Sequence, residues 1–161
     1  MNRSQALLYG QGVSFPPRVG PDGAMVWSAG EANVRECLCT ILRTRPGERV
    51  ERPGFGCGLE RYLFEPASVP TLRLIVEDVH QAVSRYEPRV RLDDVTAAVN
   101  PDDSRAVDLT IAYTLVATGS AQRLAVTVSP PGTTTTMPTN RPTTSPTNMP
   151  TTMPTNMPTT G

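Results

Sequence analysis

The carboxylates invite an acid–base reading first. Glu48, Glu51, Glu60 and Glu65 fall within one stretch, RTRPGERVERPGFGCGLERYLFEP, from Arg43 to Pro66. A glycosidase needs two carboxyls across a cleft, in environments that push their pKa values apart. Here Arg43, Arg45, Arg49, Arg52 and Arg61 alternate with the glutamates, which favours the ionised, paired state of each. The spacing supports a pair-forming surface rather than a catalytic dyad. The cysteines and the single histidine make a poor metal set. Cys37 and Cys39 sit two apart on a predicted helix and point to different faces, Cys57 lies in the glycine-rich run, and His80 stands on another segment. Free thiols and a structural histidine at or near the surface are the simpler expectation. The glycines of GFGCG lack the strand-then-helix setting and the Lys-Ser/Thr of a phosphate loop, and no nucleophile elbow or Ser/His/Asp set occurs. The residues point to no enzyme, no cofactor and no metal.

What must position that stretch are two helices and a sheet. Before it, the spacing predicts a helix over about Gly30–Arg43. Val34, Leu38, Ile41 and Leu42 form one apolar stripe, Ser28 is the expected N-cap with Glu31 as its capping-box partner, and Pro46-Gly47 stops the helix. Within the stretch, Arg49-Val50-Glu51 reads as a brief extended segment and Leu59–Phe64 as one or two helical turns. Pro46, Gly47, Pro53, Gly54, Gly56 and Gly58 make it irregular, while Leu59, Tyr62, Leu63 and Phe64 hold it to the domain. After it, a helix is predicted over about Val69–Tyr86, with Ser68 as cap and Pro70 in the first turn. Its buried stripe is Leu72, Ile75, Val76, Val79, Val83 and Tyr86.

Beyond Glu87-Pro88-Arg89 the period becomes two. Val90 and Leu92, then Val95, Ala97 and Val99, alternate with polar or small residues, and the phase slips at Asp93-Asp94, as a bulge would make it. Val107, Leu109, Ile111, Tyr113 and Leu115 form the strongest strand, and Leu124, Val126 and Val128 a third. Short turns make this an antiparallel meander with one apolar face for the helices to cover, and its edges need partners. The fold class is α+β, with two helices packed on a small three-stranded meander. Residues 1–27 read as extended, with a turn at Asp22-Gly23 and a short strand at Met25–Trp27.

Residues 1–128 form the domain and 129–161 a low-complexity tail. Tetrapeptides MPTN, RPTT, SPTN, MPTT, MPTN and MPTT run from Met137 to Thr160. Proline at every fourth position forbids helix interior and sheet ladder alike, and the composition cannot offset ordering entropy. The tail is expected to be disordered, as a solvated extension or as a tether. Copper binding by Met149, Met153 and Met157 lacks histidine or cysteine support.

Formal net charge is zero, which argues against a general nucleic-acid or anionic-membrane binder. No apolar run reaches membrane-spanning length and the N-terminus lacks a secretory pattern, so a cytoplasmic place of assembly is expected. All fifteen basic residues are arginine. Codon bias accounts for this, and so does a use for bidentate, partly buried ion pairs.

The segment GQGVSFPPRVGPDGAMVWSAGEANVRECLCTILRTRPGERVERPGFGCGLERYLFEP, followed at a helix's distance by Glu87-Pro88-Arg89, resembles the baseplate wedge proteins of contractile phage tails. That family was historically labelled lysozyme-like, and it has relatives in type VI secretion baseplates and extracellular contractile injection particles. The resemblance covers about residues 8–128. It implies a small α+β domain without enzyme activity. Such a domain would sit in the inner baseplate around the spike or hub, about six copies per particle. It would bind other wedge subunits and template the first ring of sheath subunits by strand augmentation. Glu87, Pro88 and Arg89 match the family's EPR core. With Arg45, Pro46, Gly47, Glu48, Arg49, Arg52, Gly54, Phe55 and Gly56 they are the expected protein contacts. Pro88 keeps its predecessor out of the helical region, which sets Glu87 and Arg89 on a fixed corner. Arg89→Ala is accordingly expected to impair assembly more than folding. A peptidoglycan-cleaving enzyme and a stand-alone adaptor that uses the tail as bait are the competing functions. The resemblance says nothing about residues 129–161.

Overall fold

The computed structural model describes residues 8–129. The elements are β1 (Gln11–Val13), β2 (Trp27–Ala29), α1 (Glu31–Arg43), a 3-10 turn (Leu59–Tyr62), α2 (Val69–Tyr86), β3 (Val90–Val99), β4 (Val107–Leu115) and β5 (Ala121–Val128). The α+β class and the three-stranded meander stand as expected, with strand order β3-β4-β5 and both pairings antiparallel. The expected disorder of the tail falls on residues outside those described, Ser129 excepted.

β4 is the centre of the molecule. Leu109, Ile111, Tyr113 and Leu115 are all buried on one face, while Thr110, Ala112 and Thr114 alternate with them on the other. α1 buries Val34, Leu38, Ile41 and Leu42, and α2 buries Ile75, Val79 and Val83, all in the same core. Each such side chain contributes roughly 1.5–3 kcal/mol of burial. α2 lies along β3, and α1 lies against α2 and β2. β3 slips register between Leu92 and Asp94, where the alternation slipped. Thr114 Oγ1 donates to Asp93 Oδ2 at 2.6 Å there and steadies the bulge.

α2 begins and ends where its sequence says. The Ser68 hydroxyl accepts from the Thr71 amide at 3.5 Å, Pro70 occupies the first turn, and Glu87 caps the end. α1 is different. Its N-cap is Gly30, with no side-chain cap bond, because Ser28 is drawn into β2 opposite Gly12. Its C-terminus is closed by the irregular stretch itself: the Cys57 amide donates to Ile41 O at 3.0 Å and to Thr44 O at 3.1 Å. That satisfies carbonyls which a helix end otherwise leaves orphaned.

Three local expectations are corrected. Arg49-Val50-Glu51 is turn rather than extended, since Val50 is 96 % exposed and no strand lies beside it. Met25–Trp27 is displaced: the strand is Trp27–Ala29, paired with β1 in a separate ribbon, and Met25 makes only an isolated bridge to Val19. Leu8 and Tyr9 are helical, not extended, with Tyr9 buried.

Candidate functional site

The Glu87-Pro88-Arg89 corner turns inward. Pro88 holds the chain out of the helix, so Glu87 and Arg89 lie side by side and form a two-pronged pair. Arg89 Nε donates to Glu87 Oε1 at 2.6 Å and Nη2 to Oε2 at 2.5 Å. Nη1 donates to the Tyr9 carbonyl at 2.6 Å and to Asn33 Oδ1 at 3.0 Å. The Arg89 carbonyl accepts from the Val116 amide at 3.0 Å. One arginine thus ties the N-terminal segment, α1, the end of α2 and the sheet. Its hydrogen bonds to Glu87 raise the guanidinium's pKa, against the opposing effect of burial. Glu87 is 2 % exposed. Arg89 therefore has a structural load whatever it contacts outside the chain.

The second set of expected residues forms a lip at the C-terminal end of α2. The Gly47 amide donates to Pro53 O at 2.7 Å, which closes the loop, and Glu48 Oε2 accepts from the Arg45 amide at 3.0 Å. Phe55 is buried and meets Tyr86 with ring centroids 5.0 Å apart at 53°. The Tyr86 hydroxyl donates to the Gly54 carbonyl. Arg49 lies over the Phe55 ring at 4.5 Å and Arg85 over Tyr86 at 5.4 Å. Arg45, Pro46, Gly47, Glu48, Arg49, Arg52 and Gly54 are exposed, while Phe55 and Gly56 are buried beneath them. Tyr86 sits one residue before the corner, so the structure brings both predicted sets to the same end of α2.

The expected alternation of Arg–Glu pairs does not form. Among the described residues of this stretch, Arg45 pairs with Glu60 at 3.6 Å on the surface, and Arg61 pairs with Asp78 of α2. Nearness in sequence is not opposition in space: the turns point neighbouring side chains apart.

Sequence reasoning missed three partners. Asp78 accepts from both Arg61 and the Tyr62 hydroxyl and pins the 3-10 turn to α2. Asn33 is a buried polar residue in the first turn of α1. Tyr9 supplies the carbonyl for Arg89, and its hydroxyl meets Thr118. The one available signal was position: Asn33 and Asp78 stand beside the apolar stripe, where a polar side chain needs a partner.

Cys37, Cys39 and Cys57 are unpaired. Burial, reinforced by Asp78, pushes the Cys57 thiol up to about 12, and burial also raises Cys39. Both are held as inert thiols. His80 is exposed on the rim of a groove between α2 and β3, with Leu72, Val76, Val95 and Ala97 on its floor. That groove holds one carboxylate, Glu77, and a second groove beside β5 holds one, Glu60. Among the described residues no group of three or more His, Cys, Asp or Glu is placed to hold a metal ion, and no helix is long and apolar enough to cross a membrane.

Backbone pairing shows which edges are open. The Asn100 amide donates to Ala106 O at 2.9 Å. By alternation, Ala98, Thr96 and Asp94 also bond inward to β4, and the N–H and C=O groups of Val95, Ala97 and Val99 point away from the sheet. Likewise Leu115 N donates to Ser120 O at 2.9 Å, so in β5 the outward groups belong to Arg123, Ala125 and Thr127.

A family model described as baseplate wedge protein gp25 matches residues 28–120. Baseplate wedge protein gp25 of Enterobacteria phage T4 is 31 % identical over 117 residues, 58 % of this chain and 89 % of its own length. Baseplate protein W of Escherichia phage P2 is 35 % identical over 79 residues, 48 % of this chain and 68 % of its own. A chain in the sixfold-symmetrised baseplate of the anti-feeding prophage superimposes with TM-score 0.64 at 31 % identity, covering 69 % of this chain and 88 % of that one. A Geobacter sulfurreducens protein whose crystal structure carries a tail-lysozyme label superimposes with TM-score 0.60 at 35 % identity, covering 66 % of this chain and 96 % of that one.

Proposed function

We propose that this chain, which belongs to the gp25 baseplate wedge family, joins wedge subunits around the spike of a contractile particle and templates the first sheath ring through an open sheet edge. It is a baseplate protein of a phage tail or tail-like particle. Sixfold placement and cytoplasmic assembly complete the reading. The arginine lip from Arg45 to Gly56 is its contact with other wedge proteins, and its exposed guanidiniums suit carboxylates on those partners.

The observation that carries the sheath role is the edge of β3. Its first half is guarded by the bulge and by Arg91, Asp93 and Asp94. Its second half, Val95–Val99, is uncharged, offers outward N–H and C=O groups, and has the α2 groove beneath it for alternate side chains of an added strand. β5 presents Arg123 at an outward position, which makes it the poorer template. Proline separates the two. Ala97→Pro and Thr127→Pro each remove an outward N–H without breaking a ladder bond to β4. Ala97→Pro is expected to leave particles with baseplates but no sheath, while Thr127→Pro assembles normally. Sheathed particles from both variants would end the strand-addition reading.

Catalysis fits poorly. Each groove carries a single carboxylate, and Glu60 is exposed and paired with Arg45, whereas glycoside hydrolysis calls for two. We read the chain as a structural protein. A zymogram with clearing that disappears on Glu60→Gln would reverse that.

A further inference from the structure

Two arginines at the C-terminal end of α2 rest on one aromatic platform. The Phe55 and Tyr86 rings meet with centroids 5.0 Å apart. Arg49 Cζ stands 4.5 Å from the Phe55 centroid and Arg85 Cζ 5.4 Å from that of Tyr86. The platform is held from below. Phe55 is buried, its amide donates to Arg52 O at 2.9 Å, and the Tyr86 hydroxyl donates to the Gly54 carbonyl. Arg49 and Arg85 are both exposed, and neither takes part in an ion pair among the described residues. Stacking occupies one face of a guanidinium and leaves the N–H fork at its edge free to donate. A long side chain already resting on a ring also has less rotamer freedom to lose when it binds.

We infer that Arg49 and Arg85 form a clamp for two carboxylates of an acidic protein segment, with the Phe55–Tyr86 pair as its base. The inference rests on the lip being a contact with another baseplate subunit, and it names the side chains that dominate that contact and the groups they take. Arg85 belongs to α2 and lies outside the Arg45–Gly56 lip, so the clamp joins two elements and exists only in the folded chain. Nearby acids do not satisfy it. Glu48 Oε2 is engaged by the Arg45 amide, Glu60 pairs with Arg45, and Glu87 with Arg89. Glu51 is exposed in the same turn and takes part in no ion pair among the described residues. These glutamates also select the ligand. A nucleic acid follows a continuous basic stripe, and here Glu48 and Glu51 interrupt the arginines of the loop. Two discrete carboxylates, each taken by one fork, suit the site better. Val50, 96 % exposed next to Arg49, gives the bound segment an apolar contact that helps exclude water from the charged anchor.

The probe is capped hexaglutamate, titrated at low salt into the full chain while the arginine Nε–H resonances are followed by NMR. Arg49 and Arg85 should shift together on one binding curve. Capped hexaglutamine should move neither, and tripolyphosphate should bind no more tightly than the peptide. Arg49→Gln and Arg85→Gln should each weaken the peptide at least about fivefold. Arg18→Gln, an exposed arginine of the loop between β1 and β2, should leave it unchanged. Arg49→Lys keeps the charge but loses the flat fork, and should weaken it at least about threefold. Equal weakening by Arg18→Gln, no effect of Arg49→Lys, tighter binding of tripolyphosphate, or no shift of either arginine would each overturn the clamp. Incorporation into particles is read separately, with Arg49→Glu and Arg85→Glu together expected to bar the chain from baseplates. A chain that binds the peptide through both arginines, yet enters baseplates normally with both reversed, would overturn the wedge contact and leave the clamp standing.

Discussion

Arg89 holds its corner through four hydrogen bonds spread over three partners, and removing it strands each of them. In Arg89→Ala the Glu87 carboxylate, 2 % exposed, stays buried without its cation, and the Tyr9 carbonyl and Asn33 lose their donor. Breaking such a pair from one side costs about 3 kcal/mol. Urea unfolding should show that loss. Arg89→Lys should recover only part of it, since an ammonium cannot make the two-pronged bond. A loss under about 1 kcal/mol for Arg89→Ala would mean the corner is held by something else. The double change Glu87→Gln with Arg89→Met should cost less than Arg89→Ala alone, because no buried charge is then left unpaired. The prior expectation that Arg89 matters more to assembly than to folding must be tested against this structural load, by comparing assembly in Arg89→Lys with its unfolding midpoint. Cys57 makes a pH prediction of the opposite kind. Its folded pKa stands above the ordinary 9.0, at about 12. Below 9 both folded and unfolded chains keep the proton and stability is whole. Between 9 and about 12 the unfolded chain ionises first, so stability falls as pH rises through that window. Cys39 and Tyr113, also raised by burial, add to the same slope. Unfolding curves from pH 8 to 11 should show the decline, and Cys57→Ala should flatten it even though it lowers the starting stability.

At the scale of elements, the irregular stretch is as specified as a helix, and its glycines divide by what surrounds them. Gly56 has φ +111°, and a Cβ there would stand 2.2 Å from the Thr44 carbonyl oxygen, one of the acceptors that close α1. Gly47 also has positive φ, but nothing lies within 4 Å of its Cβ position. Gly47→Ala should therefore cost about 1 kcal/mol of backbone strain. Gly56→Ala should cost several times that, because the end of α1 must move. Equal thermal shifts for the two would show that the Thr44–Gly56 approach is not what holds the loop. This division was not legible in the sequence, which shows six breakers in one short stretch without saying which one meets a carbonyl. What was legible followed from local physics. α2 was readable to the residue, because its stripe, its Ser68 cap and its proline corner all lie within the element. The meander and its bulge were readable because period two is strict and its slip is local. α1 was readable along its stripe but not at its start, since Ser28 was claimed by a strand pairing across the loop between β1 and β2. Val50 suggested a strand by its type, yet a strand needs a neighbour, and none is there. Of the site, the two sequence sets were recognisable. That they converge on Tyr86, that Asn33 and Tyr9 hold Arg89, and that Asp78 pins the 3-10 turn beside them depend on contacts that only folding creates.

For the molecule as a whole, the described fold closes between Leu8 and Ser129. The core cluster runs from Tyr9 to Val128, and the family match ends at residue 120. The tail has no counterpart in that match, and its composition, rich in proline and threonine, offers little apolar surface to offset the entropy of ordering it. Ending the chain at Ser129 should therefore shift the thermal midpoint by less than about 4 °C, which corresponds to about 1 kcal/mol for a domain of this size. It should also leave the chain able to enter baseplates, because the lip at the end of α2 and the β3 edge are both built from residues before Ser129. Co-sedimentation of the shortened chain with sheathed particles measures this directly. Incorporation at a few copies per particle is the expected outcome for a wedge protein whose contacts are built into the folded domain. A shortened chain that folds normally yet stays behind in the soluble fraction would make the tail the recruiting element, and the molecule an adaptor whose domain serves only to carry it.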